Sequence, residues 1–356
     1  MSFSGWKLCD TLHWVMAISR KVLSPIVFVV LLNVTFSCGA AALFEGDDVL
    51  EVTLTGPLDS VLDDKVQRRE QPFVLRVGDA DISILARVRG NSRARVCRFP
   101  PLRLNFTGSE VRETVFEGQK KLKLVLLCRE GERGRMDVLE EFAAYRIFNM
   151  LSDISYKVRL LHITYLDTDR RSKLESQASW GFVIEPGEQL ADRAGGEWAQ
   201  LPGVKMSQVA ESQAALVFVF QYLIGNTDWS FLTADGDDAC CHNGDLLIIN
   251  NKLNYVPYDF DLAGLVNAAY AKPDPSLRLR SVTRRRYRGY CVSQEALRSA
   301  IQIVKSKRED ILDVLTEIPG FTGKEIEDTT EYLDGFFELA QDEEKLLKTF
   351  ERACLK

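Results

Sequence analysis

The sequence is poor in the residues and spacings that build metal centres and nucleic-acid surfaces. It has three histidines among 356 residues and no Cys-x-x-Cys pair, whereas a structural zinc site usually needs four closely spaced Cys or His ligands. Its net charge is −6, so it lacks the excess of Lys and Arg that is typical of nucleic-acid-binding proteins. It also lacks repeats, low-complexity tracts and a Gly-x-Gly-x-x-Gly loop. We therefore expect neither a zinc site nor a nucleic-acid partner.

Apolar runs long enough to cross a membrane are missing as well. The apolar segment 23–36 is shorter than the roughly 20 residues that a span requires. It follows the basic pair Arg20-Lys21 and precedes three alanines, an arrangement typical of a secretory signal peptide. We predict a signal peptide at residues 1–42, no membrane span after its removal, and an exported protein, periplasmic or secreted. Two alternatives stay open: Cys38 as a lipid-attachment site and Met16 as the true start.

Six cysteines follow the predicted cleavage point: Cys97, Cys128, Cys240, Cys241, Cys291 and Cys354. An even number of cysteines in an exported chain indicates disulfide bonds. Cys97 and Cys128 lie close to two predicted neighbouring strands, so we expect these two to pair.

Residues 43–186 are predicted to form a β-rich N-terminal lobe. Apolar and polar residues alternate over short runs, which is the pattern of an antiparallel sheet. The predicted strands are Val52–Leu54, Phe73–Val77, Ile82–Val88, Leu102–Phe106, Leu122–Leu127, Val158–Leu166 and Trp180–Ile184. One amphipathic helix, Met136–Leu151, interrupts them, and Glu185-Pro186-Gly187 ends the lobe as a hinge.

A lysine interrupts one of these apolar strands. Lys123 must reach a carboxylate, a phosphate or solvent, because an unpaired buried ammonium is very costly. Glu140 and Glu141 lie in the first turns of the predicted helix, and a strand Lys paired with a helix Glu positions ATP phosphates in kinases. The alternative is that Lys123 lies on an open sheet face while both glutamates favour the helix N-terminus.

Residues 187–356 are predicted to form a mainly helical C-terminal lobe. The predicted helices are Met206–Ile224, 294–314 and 323–348. Two β-prone runs, 246–249 and 253–257, indicate a hairpin. The basic run Arg278–Arg288 is either a solvated face or a loop that contacts phosphates or an acidic substrate.

Acidic and amide side chains occur at the ends of these elements. Asp228 follows the first helix, Asn243 precedes the hairpin, and Asp259 and Asp261 follow it. A kinase-type phosphotransferase needs this order: one Asp for the acceptor hydroxyl, then an Asn and an Asp that hold Mg²⁺ against the phosphates. Each group alone is also explained by a turn or a helix cap. The ordered set favours the functional interpretation.

Six short segments carry a family resemblance: Arg89–Ser92, Phe116–Leu122, Glu141–Arg146, Gly181–Glu185, Gly225–Trp229 and Tyr258–Asp261. In these segments the chain resembles the spore-coat CotH kinase family and its secreted bacterial relatives, with a fainter similarity to HipA-type kinases. The resemblance covers roughly residues 85–265. It implies an atypical protein-kinase fold and transfer of phosphate from ATP to a protein or another hydroxyl.

The resemblance also implies residue roles. Asp228 would be the catalytic residue. The nucleotide-binding residues would be Lys123, Glu141 and Glu185, with Arg103 as an alternative to Lys123. The metal ligands would be Asn243, Asp259 and Asp261.

These observations lead to one expected fold and two expected functions. The fold is α+β and two-lobed, kinase-like, with a β-rich N-lobe containing one helix and a helical C-lobe. The first function is an exported phosphotransferase that uses ATP and Mg²⁺ on an unknown protein or envelope acceptor. The second is an inactive pseudokinase or binding protein of the cell envelope. A weaker third idea is a hydrolase that uses Asp259 and Asp261 as its carboxylate pair.

Overall fold

The strands of the first sheet form where apolar and polar residues alternate. The computed structural model describes residues 43–108, 110–169, 178–232 and 240–356, so the predicted signal peptide, residues 1–42, lies outside the described residues. The strands are β1 (Leu50–Gly56), β2 (Gln71–Val77), β3 (Ala80–Val88), β4 (Leu102–Phe106), β5 (Lys121–Leu126), β6 (Val158–Asp167) and β7 (Ser179–Ile184). Along β3 every second residue from Ile82 to Val88 is buried, because successive side chains point to opposite faces.

The seven strands close into a barrel in the order β1-β2-β3-β4-β5-β7-β6. Neighbouring strands are antiparallel except at the closure, where β1 runs parallel to β6 with Leu54 opposite Tyr165. Alternate side chains from all seven strands form one buried apolar cluster that includes Ile82, Leu104 and Leu124. Each such side chain stabilises the fold by about 1.5–3 kcal/mol when it leaves water, so this cluster holds the barrel closed.

The barrel strands next to the longest helix are buried on both faces. Helix α3 (Glu132–Leu151) packs on β6 and β7, where Phe182 contacts Phe142 and Tyr145 with ring centroids 5.7 and 5.6 Å apart. A strand covered on both sides reads as a continuous apolar run, as this part of the sequence does. The helix thereby fixes the position of Glu141 in its middle.

The other helices are α1 (Leu58–Asp63), α2 (Ser92–Val96), α4 (Gly187–Arg193), α5 (Glu211–Leu223), α6 (Gln294–Ser306), α7 (Arg308–Glu317), α8 (Gly323–Leu339) and α9 (Glu343–Ala353). Helix α5 is buried from Gln213 to Leu223, which agrees with its apolar run from Ala214 to Phe220. The two predicted C-terminal helices each divide in two, the second of them because Asp342 caps a new helix by accepting from the Lys345 backbone N–H.

A second sheet is antiparallel and has three strands, β8 (Glu197–Ala199), β9 (Gly244–Ile249) and β10 (Lys252–Pro257), in the order β10-β9-β8. Asn250 and Asn251 join β9 to β10 with φ of 52° and 60°, the left-handed conformation that a tight hairpin turn needs and that Asn tolerates. The predicted hairpin is therefore confirmed.

The expected two-lobed kinase-like fold is wrong. The sheet is a closed, mixed seven-stranded barrel rather than an antiparallel sheet, and three helices, α1, α2 and α3, lie between its strands in sequence rather than one. The closing pair joins Leu50 to Leu161, which are far apart in sequence. Periodicity indicates which residues of a strand are buried but not which distant strand pairs with it. The pairing of β1 with β6 therefore could not be predicted from the sequence.

The predicted disulfide is confirmed. Cys97 and Cys128 are bonded, with Cα atoms 4.6 Å apart, and the other described cysteines form the pairs Cys240–Cys241 and Cys291–Cys354. Three disulfides are compatible with an exported protein. Among the helices of the described residues, none is long and apolar enough to cross a membrane.

Candidate functional site

One buried arginine gathers three of the carboxylates that the sequence singled out. Arg93 of α2, only 6% exposed, donates from Nη2 to Glu141 at 2.5 Å and to Asp259 at 2.7 Å, and from Nε to Asp261 at 2.9 Å. Helix α3 supplies Glu141, and the loop after β10 supplies both aspartates. Tyr270 donates a further hydrogen bond to Asp261. We call these five residues the Arg93 cluster.

The pKa values of the two aspartates in this cluster are shifted in opposite directions. Burial raises the pKa of Asp261 to about 8, although Arg93 opposes the shift. Burial alone would also raise the pKa of Asp259, but Arg93 and Arg89 outweigh it and hold that pKa below its usual value. The two differ in access as well, because the Asp259 side chain is 38% exposed and that of Asp261 only 5%. Asp259 is therefore the ionised, reachable member of the pair.

Lys123 does not pair with Glu141 as the sequence predicted. Its ammonium lies over the rings of Tyr258 and Tyr156, 4.8 and 5.7 Å from their centroids. Burial lowers the pKa of Lys123, and Arg89 lowers it further, while Asp245 and Asp259 act in the opposite direction. Lys123 therefore lies within the electrostatic influence of Arg89. Glu141 forms its ion pair with Arg93 instead of Lys123.

Lys123 lines a cavity of about 610 Å³, which we call the cationic pocket. Its positively charged lining residues are Arg68, Arg87, Arg89, Arg103, Lys121 and Lys123. Apolar atoms of Leu122, Ile184 and Trp198 line the same cavity. Two acids, Glu188 and Asp245, are also present, and Asp245 accepts a hydrogen bond from Tyr156. The pocket therefore combines an apolar surface with an excess of positive charge.

Two of the pocket cations, Arg89 and Lys123, indicate the kind of ligand that the pocket would bind. Both are half-buried, and burial lowers the pKa of each. In the described ranges, no carboxylate lies within the 4.0 Å ion-pair distance of either. Cations that are withdrawn from water without a carboxylate in direct contact cost free energy, which an anionic ligand would recover.

The structure brings together Asp228 and Asn243, two of the candidate site residues. The Asn243 side-chain amide donates to the Asp228 carbonyl at 2.6 Å and to its carboxylate at 2.9 Å. His242 Nε2 lies 3.2 Å from the other carboxylate oxygen, and the Asp228 N–H donates to Asn226 at 2.9 Å. The Asp228 carboxylate is thus oriented from two sides.

A backbone hydrogen bond connects this pair to the Arg93 cluster. The Tyr258 N–H donates to the Asn243 carbonyl at 3.1 Å, which places Asp259 directly after a residue that contacts Asn243. Asn243 and Asp259 have φ of 52° and 63°. Non-glycine residues in this conformation are uncommon and cluster at functional sites, where the surrounding structure holds them. Tyr145 does so here by accepting the Asp259 N–H at 2.9 Å.

Asp228 opens on a second cavity of about 350 Å³, which we call the Asp228 pocket. Its lining residues are Thr227, Asp228, Trp229, Ser230, His242, Leu262, Lys272, Asp274 and Arg288. Arg288 donates to the Thr227 carbonyl, so its guanidinium lies beside the loop that presents Asp228.

Glu185 has a supporting position. Its carboxylate accepts from Arg193 at 3.0 and 2.8 Å and from the Lys157 N–H at 3.0 Å, and it does not line the cationic pocket. The neighbouring Ile184 and Pro186 do line it. Glu185 therefore holds the chain in place between Ile184 and Pro186, the two neighbours that line the cationic pocket.

The described residues contain no group of three or more His, Cys, Asp or Glu side chains placed to hold a metal ion. Mg²⁺ in phosphotransferases is bound by one or two carboxylates together with substrate phosphates, so a complete protein cage is not needed. Asp259 fits such a role because its side chain is accessible and its pKa is lowered, and the Asn243 carbonyl accepts from the N–H of the preceding residue, Tyr258. Asp261 does not fit, since it is buried and bonded to Arg93 and Tyr270.

Sequence reasoning missed the roles of Arg89 and Arg93. Both lie in or next to Arg89–Ser92, a segment that carried the family resemblance without an assigned function. Two arginines that flank a Gly-Asn turn after a strand were the available signal, but nothing local indicated that Arg93 would meet carboxylates over 160 positions away.

Comparisons with known proteins add little to this geometry. No family model matches the chain, and no curated protein matches it. Among solved structures, the chain is similar to the crystal structure of a Helicobacter pylori proinflammatory kinase, CtkA, with 11% identity and a TM-score of 0.38. The match covers 70% of this chain and 93% of that one. A likeness this weak carries no argument about the present chain.

Proposed function

We propose that this chain is a phosphotransferase that binds ATP in the cationic pocket and passes the terminal phosphoryl group to an acceptor hydroxyl at Asp228. The observation that carries the proposal is the pair Arg89 and Lys123, two half-buried cations that face one pocket and lack a carboxylate partner within the described residues. A polyphosphate supplies the missing negative charge.

The rest of the pocket suits the remainder of a nucleotide. Ile184 and Trp198 offer apolar surface to a base, and a volume of about 610 Å³ lies within the usual range for small-molecule sites. Arg89 and Lys123 would bind the phosphates close to Asp259, whose charge is felt by both cations.

The transfer step uses Asp228. Its carboxylate orients the acceptor hydroxyl and accepts its proton as the new oxygen–phosphorus bond forms and the bond to the leaving ADP breaks. Asn243 fixes the carboxylate through two hydrogen bonds, so the group is preorganised before the acceptor arrives. His242, on the other oxygen, limits its rotation.

Asp259 and Asn243 are the residues that would hold Mg²⁺. When bound, this ion would neutralise charge on the transferring phosphoryl group. Arg93 holds one Asp259 oxygen through a hydrogen bond of 2.7 Å and leaves the other oxygen for the ion.

Two further points belong to the proposal. We propose export, which the three disulfides support. A second candidate function is nucleotide binding without transfer, and it is favoured by the ion pair in which Arg93 already holds Asp259.

The proposal is tested by melting the purified chain with and without Mg²⁺-ATP. A ligand that binds only the folded state at a hundredfold excess over its Kd stabilises it by about 2.7 kcal/mol, which is several degrees in Tm. Arg89→Gln and Lys123→Met should abolish most of this rise, whereas Arg95→Gln, an exposed cation of the same helix as Arg93, should keep it. Absence of any rise at millimolar Mg²⁺-ATP would refute nucleotide binding.

Transfer is tested separately. Asp259→Ala should remove the dependence of the Tm rise on Mg²⁺, and labelled phosphate should move from ATP to an acceptor only when Asp228 is intact. Nucleotide binding with no transfer to any acceptor would favour the second candidate function.

A further inference from the structure

We infer that the acceptor is an acidic polypeptide segment, bound with its Ser or Thr hydroxyl at Asp228 and its carboxylates on the basic segment 272–288. The inference deepens the proposed phosphotransferase function and rests on it. It starts from charge: residues 272–288 contain seven Lys and Arg but one acid, Asp274, in a chain whose net charge is −6. The basic segment thus carries a net positive charge in a chain whose net charge is negative.

The basic segment is held against the body of the protein by only some of its cations. Arg285 donates to the Leu223 and Tyr332 carbonyls and stacks 4.1 Å from the Tyr332 ring centroid. Arg288 donates to the Thr227 carbonyl. Tyr287 between them is buried against Phe350, with ring centroids 4.2 Å apart. These three residues fix the course of the segment.

The alternate cations do not take part in this anchoring. Arg284 and Arg286 are exposed and form no ion pair with any carboxylate of the described ranges. Arg284 lies at the end of a turn, where its N–H donates to the Ser281 carbonyl at 3.2 Å, and its side chain and that of Arg286 lie on the exposed side of the segment. The fold therefore uses Arg285 and presents Arg284 and Arg286 to solvent, so these two exposed charges are free for a partner.

The exposed pair lies close to the reacting centre. Arg284 is four residues from Arg288, so their Cα atoms are at most roughly 14 Å apart. Arg288 lines the Asp228 pocket together with Lys272, which is also exposed. The positive charge of this segment therefore reaches up to roughly 14 Å from the Asp228 pocket, a distance that about four residues of an extended peptide span.

The one acid of the segment is already occupied. The Asp274 carboxylate accepts the Ser276 N–H at 2.7 Å, and hydrogen bonds from the side chain and the backbone of Ser276 lower the pKa of Asp274. Asp274 therefore caps its own turn, and the nearby ammonium of Lys272 can bind a carboxylate of the peptide.

These features favour an acidic polypeptide over other anions. A small anion would fill the Asp228 pocket and leave Arg284 and Arg286 without a role. A nucleic acid or an anionic membrane would meet the negative charge of the rest of the chain over a large area. A short peptide touches only the basic segment and delivers one hydroxyl to Asp228.

The test uses three labelled peptides of equal length, each with one central Ser flanked by Glu, Gln or Lys. Their binding to the full chain is measured by fluorescence anisotropy without nucleotide, at about 50 and 200 mM salt. We expect the Glu peptide to bind at least about tenfold more tightly than the Gln peptide, and the difference to shrink with salt. Equal binding of the Glu and Gln peptides would overturn the inference.

Variants locate the surface. Arg284→Glu with Arg286→Glu should abolish the preference for the Glu peptide, and the neutral pair Arg284→Gln with Arg286→Gln should weaken it. Arg112→Glu with Lys120→Glu, two exposed cations that flank Phe116 of the buried barrel cluster, makes the same charge change and should retain the preference. Retention in the first variant, or tighter binding of a single-stranded oligonucleotide that the same variant loses, would also overturn the inference.

Failure of the two proposals can be told apart. The Mg²⁺-ATP Tm rise and phosphate transfer report on the proposed function, and peptide binding without nucleotide reports on the acceptor. Glu-peptide binding without transfer would refute catalysis and leave the acidic partner, whereas transfer to Gln and Glu peptides at equal rates would refute the acidic preference alone.

Discussion

Arg93 and Glu141 form a buried ion pair, with Nη2 2.5 Å from the carboxylate, at the position where a strand lysine was expected. The pair joins α2, which lies between two barrel strands, to the centre of α3. The same guanidinium reaches both aspartates that follow β10. One side chain therefore connects the barrel, the long helix and the loop that bears the proposed metal ligand.

Removal of Arg93 should destabilise the protein strongly. Arg93→Met leaves three carboxylates around an apolar side chain, and loss of one partner from a buried ion pair typically costs about 3–5 kcal/mol. Urea unfolding of the variant and of the parent chain measures the difference. Arg95→Met on the same helix is the matched control, because Arg95 is exposed, and it should change stability by less than about 0.5 kcal/mol. Similar stability of the two variants would contradict the role of the cluster.

The strand positions were predictable from sequence, and the barrel was not. Each of the seven predicted runs overlaps one of the strands β1 to β7, because these strands either alternate between buried and exposed residues or, as in β6 and β7, form nearly continuous apolar runs. Closure depends on β1 meeting β6, and no local pattern identifies that partner. Helices α1 and α2 were missed because a helix of five or six residues is too short to show a period of 3.6.

The candidate site was predictable where it is built from element ends. Asp228 and Asn243 meet across fifteen positions because the buried α5 and the hairpin place their ends side by side. The partner of Glu141 was not predictable. Lys123 and Arg93 are both cations near that helix in the fold, and only three-dimensional packing decides which of them reaches the carboxylate.

Stability should depend on pH through Glu140. Burial raises the pKa of Glu140 to about 8, with Arg133 opposing the shift and Asp137 and Glu325 reinforcing it. The native chain keeps this proton while the unfolded chain loses it near pH 4.5, so the native state binds more protons between these values. The contribution of Glu140 to stability is therefore greatest below pH 4.5 and is lost as pH rises towards 8.

The variant Glu140→Gln removes this titration. Its stability relative to the parent chain should increase between pH 5 and pH 8 by about 2–4 kcal/mol, measured by urea unfolding at both values. Glu338→Gln, an exposed glutamate on α8, should show no such change. A parent-to-variant difference that is constant with pH would show that Glu140 is ionised in the folded chain.

The disulfide Cys97–Cys128 should support the nucleotide site as well as the fold. It closes a loop of 31 residues, for which chain entropy predicts about 3–4 kcal/mol of stabilisation. Cys97 directly follows α2, so its loss also loosens Arg93. Replacement of both cysteines by Ser should lower stability and reduce the Mg²⁺-ATP Tm rise.

The pair Cys291–Cys354 is the control for this effect. It ties Cys291 to the end of α9 and closes a loop of 63 residues, so its removal should cost at least as much stability. The Mg²⁺-ATP Tm rise should nevertheless persist, because neither cysteine lines the cationic pocket or belongs to the Arg93 cluster. Equal loss of the nucleotide response in both double variants would mean that the effect is global.

Asp228→Asn should separate binding from transfer. The substituted amide keeps an oxygen for the Asn243 side chain but no longer accepts a proton, so folding and the Mg²⁺-ATP Tm rise should persist. Loss of a positioned general base lowers a rate by about 10²–10⁴-fold, and transfer of labelled phosphate to the Glu peptide should fall by that factor. Asp274→Asn changes the other acid of the same pocket, which only caps its own turn, and should not lower the rate of transfer to the Glu peptide. If the two variants transfer equally well, Asp228 is not the base, and the hydroxyl must be activated by another group of the Asp228 pocket.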